Sequence, residues 1–119
     1  MSREVVSVDA TAPIGWVREC LAQGGFHHLP VLDGGCLVGV ISLTDLWRVG
    51  GVGNDPRVTA RNIMRERPIT VRRTTTLLEA ARLLEDGDLH SLPVVDARNQ
   101  LEGILTSTDL IRVLIGMLE

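Results

Sequence analysis

The chain repeats itself, and that repetition constrains the fold more than any other feature. Residues 6–33 placed on 69–96, an offset of 63, give nine identities, among them Val8/Val71, Leu21/Leu84, Gly24/Gly87 and His27/His90. The same offset pairs Leu29-Pro30-Val31 with Leu92-Pro93-Val94, and Asp33 with Asp96. Residues 37–49 then match 101–113 at an offset of 64, with seven identities in 13 positions. Chance gives about one match in fifteen at ordinary composition, so the duplication is secure. The one-residue slip falls between Asp33 and Leu37, in a turn, where an insertion costs least. A copy of this size buries too little surface to be comfortable alone. Two copies sharing one core about a pseudo-two-fold axis are therefore expected.

Each copy carries the same pattern. Val5-Val6-Ser7-Val8 and Ile69-Thr70-Val71 read as short β-branched strands. A helix is predicted from about Pro13 to Gln23 and from about Thr76 to Asp86. Pro13 suits a first turn, and Thr76-Leu77-Leu78-Glu79 has capping-box spacing. Ile14, Val17 and Leu21 share one face, as do Leu77, Ala80, Ala81 and Leu84. Gly24 and Gly87 end these helices. Hairpins follow over 29–41 and 92–105, with turns at Asp33-Gly34-Gly35 and Asp96-Ala97-Arg98-Asn99. Second helices begin near Thr44 and Thr108. The order per copy is β-α-β-β-α, a mixed α/β (α+β) class. The first repeat is expected over 1–52, a glycine-rich linker and short helix over 53–67, and the second repeat over 68–119.

Composition excludes several functions. Among the 119 residues 45% are apolar and 23% charged, as in a soluble globular chain. Aromatics are 3% and the net charge is −3, which argues against base stacking and against a phosphate-backbone footprint. No apolar run is long enough to span a membrane, and Met1-Ser2-Arg3-Glu4 begins no signal peptide. Neither nucleic acid nor membrane is an expected partner, and a cytoplasmic location is the default. Cys20 and Cys36 sit among apolar residues and read as buried thiols. With His27, His28 and His90 they match no zinc spacing, and no metal is expected. No G-x-S-x-G elbow is present, and no activated nucleophile or acid–base pair points to an enzyme. Arg65, Arg67, Arg72 and Arg73 form a basic cluster whose simplest reading is a solvated face, with contact of some of them to phosphates in the cleft or to a partner as the alternative.

The residues that carry chemistry are Gly39-Val40-Ile41-Ser42-Leu43-Thr44-Asp45 and Gly103-Ile104-Leu105-Thr106-Ser107-Thr108-Asp109. Each places hydroxyls and a carboxylate where a strand runs into a helix. A helix N-terminus suits an anion, and an aspartate accepts two hydrogen bonds side by side, as from the vicinal diol of a ribose. Phosphate and ribose recognised together read as a nucleotide site. The same stretches are good N-caps in their own right, so capping and ligand binding both stand as readings.

The Leu-Pro-Val-(Leu/Val)-Asp strands, these two corner motifs and Asn62-Ile63-Met64 together resemble cystathionine-β-synthase (CBS) domains, arranged as a tandem pair. The likeness runs from about Val5 to Val113. It implies two pseudo-symmetric repeats packed sheet to sheet, dimerising through helices. It also implies a non-catalytic regulatory module that takes AMP, ADP, ATP or S-adenosylmethionine between the copies and has no obligatory cofactor. By resemblance Asp45 and Asp109 meet ribose hydroxyls, and Ser42, Thr44, Thr106 and Thr108 face phosphate. Thr59, Asn62 and Met64 line the adenine end of the Asp45 site, and His27 and His90 take ligand-facing positions. The apolar last helix, with Ile111, Ile115 and Leu118, and its counterpart Trp47 are expected at a homodimer interface. A regulated protein partner is expected too. A constitutive interaction module with unused clefts is the alternative.

Overall fold

The computed structural model describes residues 6–24, 28–50, 53, 55–87 and 90–119. The chain divides into two compact units, one over 6–68 and the other carrying 69–119. The first unit holds β1 (Val8–Asp9), α1 (Ile14–Gly24), β2 (His28–Asp33), β3 (Cys36–Ser42), α2 (Leu43–Arg48), α3 (Ala60–Ile63) and β4 (Arg65–Glu66). The second holds α4 (Leu77–Asp86), β5 (Ser91–Val95), β6 (Leu101–Thr106) and α5 (Ser107–Leu118).

The duplication is legible in the strand register. In the first unit Leu29 faces Ile41 and Val31 faces Gly39, then the pairing slips so that Leu32 faces Leu37. In the second Leu92 faces Leu105 and Val94 faces Gly103, then Val95 faces Leu101. Both hairpins therefore carry the same bulge, opposite Val31/Leu32 and Val94/Val95. The offset slip has a local cause. The first turn is tight, with Gly34 and Gly35 both at positive φ, a twist that suits a two-residue hairpin loop. The second is one residue longer. There the Asp96 carboxylate accepts from the N–H groups of Arg98 and Gln100, and Asn99 takes the left-handed conformation.

The helix-facing side of each hairpin is its apolar side. Ile14, Val17 and Leu21 of α1 are buried against Leu29, Val31 and Ile41. Ala80 and Leu84 of α4 are buried with Val71, Leu92 and Val94. The expected face of α4 is only half right. Leu77 and Ala81 are exposed, so the buried stripe narrows to Ala80 and Leu84, with Leu83 partly buried beside them. The opening strands are also shorter than the β-branched runs suggest. β1 is two residues, paired parallel to β2, and the second copy keeps one parallel bridge, Val71 to Val94. Val5 lies outside the described residues.

The stretch after the glycines does more than link. The Ile14 N–H donates to the Val58 carbonyl (2.9 Å), the Ala60 N–H to Ala12 (2.8 Å) and the Arg61 N–H to Ala10 (3.0 Å). Val58, Ala60, Ile63 and Met64 complete the first core. β4 then adds a fourth strand beside β3, with Gly39 opposite Glu66 and Val40 opposite Arg65. Among the described residues no helix is long and apolar enough to cross a membrane.

Candidate functional site

The two corners are built alike. Ser42 is the N-cap of α2, and its hydroxyl oxygen accepts from the Asp45 N–H at 3.3 Å. The Asp45 carboxylate reaches back and accepts from the Ser42 N–H at 2.8 Å. Thr106 and Asp109 repeat the arrangement at α5, at 3.1 and 2.8 Å. Each is a reciprocal capping box. The capping reading is thus realised, and its consequence is that both carboxylates are held in fixed orientation at the strand-to-helix step.

They differ in what meets the remaining oxygen. Asp45 is 3% exposed, and its Oδ1 accepts from Arg65 Nε at 3.0 Å. Arg48 stands further off at 3.9 Å. Burial pushes the Asp45 carboxyl up, but the Ser42 N–H, the Arg65 guanidinium and the Ser42 hydroxyl outweigh it and hold it below the ordinary value. Asp109 is more open. Burial raises it too, and the Thr106 N–H and side chain bring it below the ordinary value. Its Oδ1 has no hydrogen-bond partner among the described residues.

Other expected residues fall as follows. Thr44 and Thr108 are exposed on the first turns of their helices. Thr59 and Asn62 bond to each other, since the Asn62 Oδ1 accepts from the Thr59 N–H (2.8 Å) and hydroxyl (3.1 Å). They form the capping box of α3. Met64 lies over Gly39, where an added Cβ would stand 2.5 Å from its sulfur. His90 is exposed, and its carbonyl accepts from the Ser107 N–H at 3.0 Å, beside the second corner. His27 lies outside the described residues. Cys20 and Cys36 are half-buried, and burial raises the Cys20 thiol with a smaller push from Glu19.

Arg65 is the partner of the Asp45 carboxylate that the sequence reading did not single out. It stands in the basic cluster assigned to a solvated face, and Arg73 of that cluster pairs with Glu102. The available signal was a buried capping carboxylate in need of a counter-charge, followed by an arginine at the end of the Asn-Ile-Met stretch.

With this geometry in view, the family is decided by a CBS domain model that matches residues 1–46 and 60–116. The chain belongs to the CBS domain family. Its fold is that of a CBS pair. The solved structure of CBSX2 in complex with AMP superimposes with a TM-score of 0.87 at 30% identity, covering 97% of this chain and 90% of that one. The cytosolic domain of the Mg2+ channel MgtE in complex with ATP gives a TM-score of 0.80 at 34% identity, covering 95% of this chain and 46% of that one. Among curated relatives, MJ0188 of Methanocaldococcus jannaschii is 31% identical over 94% of this chain and 41% of its own length. The chain spans about two-fifths of the first curated relatives it matches.

Proposed function

We propose that this CBS pair is a non-catalytic regulatory module that binds an adenosyl nucleotide at its carboxylate–hydroxyl corners. The observation that carries the reading is the duplicated corner itself. Asp45 and Asp109 are each locked by a reciprocal cap, so a carboxylate is presented to a diol without first being ordered. Two structural neighbours were solved with AMP and ATP, which supports an adenine nucleotide as the ligand class. At the Asp45 corner a ribose must displace Arg65 from Oδ1, which frees that guanidinium for phosphate. Met64 and the Thr59–Asn62 turn stand on the adenine side, and Ser42, Thr44, Thr106, Thr108, His27 and His90 complete the two sites. Binding then shifts the balance between conformations by its differential affinity for them.

The test is calorimetry with AMP, ADP, ATP and S-adenosylmethionine on the wild type and on Asp45→Ala and Asp109→Ala. Micromolar-range binding that either alanine variant weakens supports the reading. No heat with any of the four at millimolar ligand defeats it.

A second reading, a constitutive self-association module, is favoured by one observation. Trp47 is 78% exposed, and every residue of α5 from Ile111 to Leu118 is exposed. Apolar surface of this kind marks an interface. We assign Trp47, Ile111, Ile115 and Leu118 to a homodimer contact, which is compatible with nucleotide binding.

A further inference from the structure

The chain passes from the first compact unit to the second between Pro68 and Ile69, and the residue just before that proline is strained. Arg67 has a φ of 54°, in the left-handed region that non-glycine residues seldom adopt. Among the described residues the other non-glycine residue there is Asn99, at 63°, and asparagine tolerates that region in a turn. Arginine has no such reason to be there, and Arg67 also precedes a proline, whose ring favours an extended neighbour. The Arg67 side chain is exposed, so no burial of its own offsets the cost. The conformation is imposed by the anchors on either side. Upstream, β4 holds the chain through two residues, Arg65 opposite Val40 and Glu66 opposite Gly39, and through the Arg65–Asp45 pair at 3.0 Å. Downstream, the Val71 N–H donates to the Pro93 carbonyl (3.0 Å), and the Val71 carbonyl accepts from the Val95 N–H (2.9 Å). Backbone strain persists only where the surroundings over-determine it, and it clusters at ligand sites and switches.

We infer that Arg67 is a strained hinge whose release is controlled from the Asp45 corner. The inference rests on the nucleotide reading of that corner and names how it regulates. A ribose that takes Oδ1 of Asp45 removes the ion pair that ties β4 to the N-terminus of α2. The two-residue ladder must then hold the strain without that pair, and Arg67 passes to the extended conformation that its proline favours. The strain released adds to the free energy of nucleotide binding. Occupancy of the first unit is thereby felt where the chain enters the second, with no contact between the nucleotide and Arg67.

The experiment uses the full chain and AMP, with NMR as the readout. Backbone carbon shifts of Arg67 report its conformation, and the Asp45 amide signal reports AMP affinity at the first corner. Without ligand the Arg67 shifts should be those of a left-handed residue, and saturating AMP should move them to extended values. Arg65→Ala should move them the same way with no ligand present. Arg67→Gly is then compared with Arg67→Ala. Both lose the charge of an exposed side chain, and only glycine relieves the left-handed cost, so their difference reports strain and not electrostatics. AMP should bind Arg67→Gly about tenfold more weakly than Arg67→Ala, because the glycine variant has no strain to release. If AMP binds the wild type while the Arg67 shifts stay left-handed, the hinge is overturned and the nucleotide reading stands. Equal AMP affinity of the two variants overturns it in the same way. No binding of AMP at millimolar concentration overturns the ligand-driven release. An Arg65→Ala variant whose Arg67 shifts stay left-handed overturns the hinge whether or not AMP binds.

Discussion

The Arg65 guanidinium lies 3.0 Å from the Asp45 carboxylate, joining a side chain that is 60% exposed to one that is 4% exposed. The pair ties β4 to the N-terminus of α2, two elements separated by the glycine-rich stretch. Because one partner is buried, deleting the other leaves a carboxylate with its own cap and the more distant Arg48 at 3.9 Å. Arg65→Ala is expected to cost about 1–2 kcal/mol, read as a lower urea midpoint at unchanged slope. A loss within error would show that solvent replaces the arginine.

The same carboxyl sets a pH dependence. Its value in the folded state is held below the ordinary 3.8, so at mildly acid pH the folded state binds fewer protons at this group than the unfolded state does. Its contribution is therefore present above 3.8 and lost as pH falls through the lower folded value. Asp45→Asn should be less stable than wild type at pH 7. The gap should close as acid is added below pH 3.8. A gap that stays constant down to the acid transition would mean that the charge of Asp45 contributes nothing.

Gly39 answers to packing rather than to backbone freedom. A Cβ there would stand 2.5 Å from Met64 Sδ and 2.9 Å from the Arg65 carbonyl oxygen. Met64 is a flexible side chain and can yield, but the carbonyl belongs to β4. Gly39→Ala is expected to cost about 1–3 kcal/mol by overpacking. Adding Met64→Ala should return only part of it. Full recovery in the double variant, measured by denaturant unfolding, would show that β4 itself shifts without penalty.

How much of this was legible beforehand follows from which interactions are local. The repeat, the hairpins and the N-caps are short-range. Ser42-x-x-Asp45 and Thr106-x-x-Asp109 name their own hydrogen bonds, and Thr76 caps α4 through the Glu79 N–H, one half of the capping box its spacing predicts. The pairing of Arg65 with Asp45 is set instead by the register of β4 on β3, and two residues of alternating charge advertise no strand. The seating of residues 58–64 against Ala10, Ala12 and Ile14 was hidden for a related reason. It is positioned by backbone hydrogen bonds, which any sequence can make, besides the packing of its apolar side chains. The exposure of Leu77 was misjudged because apolar periodicity reports a stripe and not its width.

The apolar side of α5 gives a prediction in solution. Ile111 is 55% exposed and Leu118 79%, so neither contributes much to the core of its own chain. Ile111→Asp should convert a homodimer to monomer in sedimentation experiments. The stability of the monomer should change by no more than about 0.5 kcal/mol, as for other surface substitutions. A wild type that sediments as a monomer at all concentrations would remove the homodimer assignment.

Arg65 also lets the nucleotide reading be tested by sign. Two oxygens of Asp45 must face a ribose diol, and Oδ2 already accepts from the Ser42 N–H and hydroxyl. Oδ1 is held by Arg65, so sugar and arginine compete for it. Removing the arginine removes the competitor, and adenosine should bind Arg65→Ala more tightly than wild type. For ATP the same change also deletes a cation within reach of the phosphates, and charge-assisted bonds to phosphate are strong. The ratio of ATP to adenosine affinity should therefore fall about tenfold in the variant, measured by calorimetry at fixed ionic strength. An unchanged ratio would place the phosphates away from Arg65, and weaker adenosine binding would show that the arginine supports the sugar site rather than closing it.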